Sequence, residues 1–218
     1  MQRTDCFKKQ AAYDAVKKMI LDNELRAGMQ LVERTLSERL EISRTPVREA
    51  LRKLAGEGFV EIKEGKGVYV AQVYYEDIAE IFELRESLEG YASRLCVRRR
   101  TEESVEKLTG YLEAQEKAYR DGEHGTFMHI DMLMHNCIAE FSKNKRLIGM
   151  VSSVYDQVTR MAISVRDDPV IRDTAIRGHR ALIRAIREGD EDGAEKAMRE
   201  HIISTKEYHL EKYYLIRN

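Results

Sequence analysis

The chain contains little of what marks secreted, membrane or redox proteins. Its 218 residues include no tryptophan, only 2 prolines and only 3 cysteines. Cys6, Cys96 and Cys137 are scattered without a CxxC pair, which argues against a disulfide framework, a zinc ribbon or a thiol redox centre. No apolar run approaches the roughly 18 residues of a membrane helix, and the first residues lack the apolar stretch of a signal peptide. We therefore expect a cytoplasmic protein.

The composition is that of a folded, helix-rich protein, because 43% of the residues are hydrophobic and 34% are charged. The length favours two domains. Residues 1–72 hold 14 Lys and Arg against 11 Asp and Glu, whereas residues 73–218 hold 23 against 27. The sequence therefore predicts a mildly basic domain over 1–72 followed by an acidic domain over 73–218.

Residues 32–67 predict a winged helix-turn-helix. A short helix, a turn and a longer helix are followed by two alternating apolar runs, at 59–62 and 68–70, with glycine-containing turn residues between them. Thr45 is expected to cap the longer helix. Pro46 is expected at its first position, because the N–H that proline lacks has no helical partner there.

The longer helix places its arginines away from its apolar residues. Four apolar residues recur at helical spacing on one face: Val47, Ala50, Leu51 and Leu54. Arg48 and Arg52 point elsewhere, and Arg44 stands just before the helix. Arginines at such positions can read guanine edges in a major groove and neutralise phosphates. A solvated basic face is the alternative, but the neighbouring motif elements favour nucleic-acid binding.

The stretch LVERTLSERLEISRTPVREALRKLAGEGFVEIKEGKGVYV resembles the DNA-binding domain of the GntR family of bacterial transcription regulators. The resemblance implies DNA contacts by six residues: Arg34, Arg44, Thr45, Arg48, Gly65 and Lys66. Glu41 departs from the family pattern, which usually has glycine in the turn between the two helices. A residue other than glycine there implies a slightly different turn.

The second domain predicts an antiparallel all-α helical bundle. Amphipathic periodicity gives six helices, at about 75–99, 102–121, 125–142, 145–166, 169–188 and 190–216. Asp168 and Pro169 supply a helix start, whereas Gly189 and Asp190 supply a helix stop followed by a new cap. One further amphipathic helix, over residues 8–25, precedes the winged motif.

Three histidines and one aspartate of the bundle could meet in its interior. Asp131 and His135 lie one turn apart on an apolar face, which predicts either a cation between them or a simple hydrogen bond. His179 lies 10 residues before the glycine stop and His201 lies 11 residues after the new cap, so the two stand at nearly equal height in a tight hairpin. Such ligands suit Zn, Ni, Mn or Fe(II), with coordination positions left open for a small molecule.

This D-x3-H…H…H pattern on a helical bundle is similar to the FCD ligand-binding domain, which follows many GntR DNA-binding domains. The resemblance covers about residues 75–215. It implies that a divalent metal is bound by four residues: Asp131, His135, His179 and His201. It also implies that a metabolite carboxylate completes the coordination of the metal.

Arg85 is a further candidate, because apolar residues surround it on the first bundle helix. It either pairs with Glu89 one turn on or binds the carboxylate of an effector. The remaining histidines are expected outside the metal site. His129 faces away from the predicted ligands, His209 falls near a polar tail, and His124 is a weak reserve ligand.

These features favour a regulator over an enzyme, because the predicted metal ligands come without a general base at a recognisable spacing, such as the glutamate of HExxH. We expect a homodimer on a palindromic operator, since two small DNA-binding domains multiply the base contacts of one. A bound carboxylate metabolite would change the orientation of the two DNA-binding domains in the dimer. The alternatives are a metal-ion sensor and a metal-dependent enzyme fused to a DNA-binding domain.

Overall fold

The computed structural model describes residues 2–162 and 168–217. The chain folds into two compact units, Met1–Tyr74 and Tyr75–Asn218. The first is a winged helix-turn-helix, and the regular elements in the described part of the second are all helices, which confirms the mainly α fold expected from the sequence. Within the described ranges, none of the helices has both the length and the apolarity needed to cross a membrane.

The described residues of the first unit, 2–74, form three helices and a small antiparallel sheet. Its elements in chain order are α1 (Gln2–Leu21), β1 (Gln30–Leu31), α2 (Glu33–Leu40), α3 (Arg44–Gly56), β2 (Val60–Lys63) and β3 (Gly67–Val70). The strand order is β1-β3-β2, with Gln30 opposite Tyr69. Strand β1 was not expected, because two residues are too short for a periodic pattern. The buried face of α3 packs against α1, and the predicted core residues Val47 and Leu54 are fully buried.

Helix α3 begins two residues earlier than its proline suggests. Ser43 precedes the first turn, with an extended backbone and without a side-chain capping bond, so the expectation that Thr45 caps the helix is wrong. Thr45 and Pro46 lie inside the first turn instead. Proline is tolerated there because the first N–H groups of a helix have no intrahelical partner. The turn before α3 contains Glu41 at φ 54°, a left-handed conformation that glycine adopts more readily.

The second unit is a bundle of six helices among the described residues. They are α4 (Tyr75–Arg98), α5 (Glu102–Arg120), α6 (His124–Phe141), α7 (Lys145–Ala162), α8 (Pro169–Glu188) and α9 (Glu191–Arg217). Each begins and ends close to its predicted bounds, and the part of the fourth predicted helix at 163–166 lies outside the described residues.

Capping residues set the length and direction of the last two helices. The Asp168 carboxylate accepts the N–H of Val170 at 2.9 Å, with Pro169 in the first turn of α8. Gly189 ends α8 at φ 82°, and the Asp190 carboxylate accepts the N–H of Gly193 at 2.8 Å to start α9. The resulting α8–α9 hairpin packs with α4, while α5 lies against α6 and α8. This packing brings α4, α5, α6, α8 and α9 around one interior.

Candidate metal centre and nucleic-acid interface

Three buried imidazoles meet in the interior of the second unit. His135 comes from α6, His179 from α8 and His201 from α9, and each offers one ring nitrogen within 4.8 Å of the others. The ring centroids of His179 and His201 are 4.5 Å apart, as their equal heights in the hairpin predict. Among the described residues, these three form the cluster that could hold a metal ion.

Asp131 lies beside this histidine triad, one turn before His135 on α6. Its Oδ1 is 3.7 Å from Nε2 of His179, and its Oδ2 is 4.0 Å from Nε2 of His135. Both separations exceed hydrogen-bond length, so the simple Asp131–His135 hydrogen bond is not formed. Burial opposes the charge of this carboxylate, but the neighbouring His135 and His179 bring its pKa below the usual value.

Glu89 of α4 contacts the far side of His135. Its Oε2 contacts Nδ1 of His135, and its Oε1 accepts a hydrogen bond of 2.7 Å from Nε of Arg85. Burial would raise the pKa of Glu89, but the charges of Arg85 and His135 lower it to about 2. A carboxylate only accepts hydrogen bonds, so Nδ1 of His135 carries a proton and donates it to Glu89. Of the two roles considered for Arg85, pairing with Glu89 is therefore present.

Sequence reasoning missed two further polar residues that contact Asp131. Gln115 of α5 donates from Nε2 to Oδ1 of Asp131 at 3.1 Å, and its Oε1 lies 2.7 Å from Nδ1 of His179. The Tyr155 hydroxyl of α7 donates to Oδ2 of Asp131. The signal for Gln115 was its position seven residues after the buried Leu108, which places an amide on an apolar face. Tyr155 gave no such signal, because tyrosine is common in helical cores.

The donor set fits a divalent metal. Burial lowers the pKa of His179 to about 4 and that of His201 well below its usual value, so both imidazoles are neutral near pH 7. Neutral imidazole is the form that coordinates metals. Nδ1 of His201 is buried and has no hydrogen-bond partner among the described residues. His201 also lies so close to Gly178 of α8 that a Cβ there would stand 2.6 Å from this nitrogen.

The other histidines lie in three different environments. His129 is exposed, as expected, and His124 is half-buried with Nε2 3.4 Å from Nη1 of Arg172. His209 is only 4% exposed and its ring centroid is 5.1 Å from that of Phe82, so its expected place near a polar tail is wrong. The reason is that α9 continues as a packed helix beyond the point where its sequence becomes more polar.

The residues predicted to contact DNA are all exposed on the first unit: Arg34, Arg44, Thr45, Arg48, Gly65 and Lys66. The carboxylate of Glu33 lies near three arginines of α3, Arg44, Arg48 and Arg52, and accepts hydrogen bonds from Arg48. Arg48 donates from Nε and Nη2 to Glu33 at 2.8 and 2.7 Å. This hydrogen bond, with further contributions from the charges of Arg52 and Arg44, lowers the pKa of Glu33.

The predicted wing is the hairpin between β2 and β3. Its turn is closed by a hydrogen bond of 3.0 Å from the Lys66 N–H to the Lys63 carbonyl. Gly65 has φ 68°, a left-handed conformation that is strained for other residues. Gly65 and Lys66 therefore form an exposed, hydrogen-bonded turn at the tip of the hairpin, with the cationic side chain of Lys66 exposed to solvent.

Two family descriptions match the chain. The description "FCD domain" matches residues 80–204, and "Bacterial regulatory proteins, gntR family" matches residues 8–70. The FCD match alone spans more than half of the chain. These matches fall on the helical bundle and the winged unit, respectively.

Individual relatives and a solved structure agree with these matches. A probable D-xylose utilization operon transcriptional repressor of Paenarthrobacter nicotinovorans is 29% identical over 87% of this chain and 83% of its own. The uncharacterized HTH-type transcriptional regulator YdhC of Bacillus subtilis is 26% identical over 87% of this chain and 85% of its own. The structure of E. coli McbR/YncC superimposes with a TM-score of 0.81 at 22% identity, covering 94% of this chain and 98% of that one, which shows the shared fold.

Proposed function

The chain belongs to the GntR family of bacterial regulatory proteins and is a DNA-binding transcription regulator with an FCD domain, and we propose that a metal-bound metabolite controls its binding to DNA. In this proposal a homodimer binds a palindromic operator. Asp131, His135, His179 and His201 hold a divalent metal, and a small carboxylate metabolite binds at that metal. Occupancy by the metabolite changes the affinity for the operator.

The first unit supplies the proposed DNA contacts. Arg44 and Arg48 lie in the first two turns of α3, where guanidinium groups can reach base edges in the major groove. Arg34, Thr45, Gly65 and Lys66 are proposed to contact the DNA as well, with Lys66 neutralising phosphate from the wing. Arg48 is already held by Glu33, so we expect Arg44 to make the larger contribution to base readout.

The observation that carries the metal proposal is the convergence of three buried imidazoles, from three helices, beside an ionised carboxylate. Burying an imidazole nitrogen without a hydrogen-bond partner, as at Nδ1 of His201, is unfavourable unless the ring serves a ligand. When bound, a divalent ion would supply positively charged coordination positions for a carboxylate. A second cationic group stands nearby in Arg85, whose charge also lowers the pKa of His201 after the larger effect of burial.

The coupling between the two units is proposed to act on the dimer. A metabolite that binds one arrangement of the two DNA-binding units more tightly than another shifts the population toward the first. The relatives named as an operon transcriptional repressor and an HTH-type transcriptional regulator support a role in gene control over catalysis. We expect no turnover of carboxylic acids by the metal-loaded protein.

Elemental analysis combined with native mass spectrometry of the purified protein tests the metal and the metabolite together. We expect one divalent ion per chain and, in a fraction of molecules, an added mass matching a small acid. Operator binding is then measured for metal-loaded protein, chelated protein and metal-loaded protein with added carboxylic acids. An effect of acids that disappears on chelation supports the proposal. Regulation that responds to chelation but to no acid identifies a metal-ion sensor instead.

A further inference from the structure

Gln115 of α5 contacts two of the proposed ligands at once. It is completely buried. Its amide nitrogen donates to Oδ1 of Asp131 at 3.1 Å, and its amide oxygen lies 2.7 Å from Nδ1 of His179. The side chain therefore links a residue of α6 to a residue of α8 across the interior of the bundle.

The chemistry of these contacts fixes the position of a proton. The ionised Asp131 carboxylate can only accept hydrogen bonds, so the NH₂ group of Gln115 must face it. The amide oxygen of Gln115 then faces His179, and this oxygen also only accepts. Nδ1 of His179 must therefore carry the proton and donate it, which leaves a lone pair on Nε2.

Nδ1 of His135 likewise carries a proton, because the Glu89 carboxylate on that side can only accept it. The two Nε2 atoms, of His135 and His179, face each other at 3.1 Å. When each ring carries a single proton, on Nδ1, neither Nε2 has a hydrogen to donate across this gap. Two lone pairs thus point into one buried space, an arrangement that a cation stabilises.

We propose that Gln115 is a positioning residue of the metal site, which holds His179 in the tautomer that can bind metal and ties it to Asp131. This inference rests on the proposed function. Without the amide oxygen, His179 is free to move its proton to Nε2 and donate a hydrogen bond to Nε2 of His135. That hydrogen bond would use both lone pairs and compete with the metal.

The test compares the metal-free wild type with Gln115→Met, Gln115→Glu and Leu108→Ala. Long-range ¹H–¹⁵N spectra of histidine-labelled protein report which ring nitrogen of His179 carries the proton. We expect the Nδ1–H form in the wild type and a shift toward Nε2–H in Gln115→Met. Gln115→Glu keeps an acceptor for Nδ1 of His179, so it should retain the wild-type tautomer. The affinity for Zn²⁺, measured by competition with a chromophoric chelator, should fall about 10- to 100-fold in Gln115→Met.

Leu108→Ala is the matched control, because it removes a completely buried side chain seven residues before Gln115 on the same helix, and this apolar side chain makes no hydrogen bond to either ligand. It should lower thermal stability but leave the His179 tautomer unchanged. A wild-type tautomer in Gln115→Met, or an equal tautomer change in Leu108→Ala, would overturn the inference while leaving the proposed function in place. A wild type that binds no divalent metal would contradict the proposed function itself.

Discussion

The Arg48–Glu33 pair of the first unit and the Arg85–Glu89 pair of the second have the same chemistry and the same 2.7 Å closest approach, but they differ in exposure. The side chains of Arg48 and Glu33 are 55% and 29% exposed, whereas those of Arg85 and Glu89 are both 3% exposed. Water can replace a partner in the first pair but not in the second. Arg48 of the winged unit can therefore exchange Glu33 for another anion, whereas the buried pair of the helical unit holds Arg85 and Glu89 in fixed positions.

Removing the acid of each pair should give the largest contrast. Glu89→Ala leaves the buried Arg85 uncompensated, which should lower the free energy of unfolding of the helical unit by about 3–5 kcal/mol. Glu33→Ala should leave the denaturation midpoint of the winged unit nearly unchanged, because water solvates Arg48. Urea denaturation followed by circular dichroism measures both. Equal losses in the two variants would contradict the distinction between the pairs.

Removing a proposed metal ligand should abolish stabilisation by metal. Metal at 100 times its dissociation constant stabilises a native protein by about 2.7 kcal/mol. We expect this gain in wild-type protein and its loss in His179→Ala and His201→Ala, measured as the thermal shift on adding metal. His129→Ala is the control, because this exposed histidine lies on α6 outside the triad. A variant of His179 or His201 with wild-type metal content would remove that residue from the ligand set.

In the winged unit, loss of an arginine should affect DNA binding rather than folding. Arg44→Ala should weaken operator binding by about 1–3 kcal/mol and relax the base preference, with unchanged thermal stability. Lys66→Ala should weaken binding to all sequences alike and reduce its salt dependence by about one unit of slope. Fluorescence anisotropy with operator and scrambled DNA at several salt concentrations separates the two. A uniform loss on all sequences in Arg44→Ala would argue against base readout.

The smallest expected effect is a gain in stability at the turn before α3. Glu41 is exposed and adopts φ 54°, so Glu41→Gly relieves the strain of a left-handed residue. Part of this relief is offset by the greater freedom of glycine in the unfolded chain. We expect a net gain of about 0.5–1 kcal/mol in the free energy of unfolding. Ser43→Gly, two residues on with a negative φ, is the control and should be destabilising.

Helix bounds and the heights of the histidines were predictable because local signals determine them. Asp168, Pro169, Gly189 and Asp190 act at the positions that their capping preferences predict. Counting residues from a common turn was enough to bring His179 and His201 together, since the rise per residue of a helix is constant. Thr45 was misassigned because Ser43 and Thr45 are both plausible caps, and proline is tolerated at more than one position of a first turn.

The partners of the predicted ligands were not predictable in this way. Glu89, Gln115 and Tyr155 lie on three helices, and their contacts depend on the rotation of each helix about its axis. A sequence pattern defines the direction of an apolar face only to within about 100° around the helix axis. A hydrogen bond, in contrast, requires its atoms to be placed to within a few tenths of an ångström. The burial of His209 was missed for a related reason, because the polar residues at the end of α9 cover one side only.

Gly178 imposes a constraint that no hydrogen bond reveals. A hydrogen atom is all that fits between the backbone of α8 at this position and the ring of His201. Even the methyl group of an alanine at this position would require the two helices of the hairpin to move apart or the imidazole ring of His201 to rotate away from its neighbours. The distance between α8 and α9 and the position of the His201 ring in the proposed metal centre therefore depend on each other, and replacement of Gly178 would alter both.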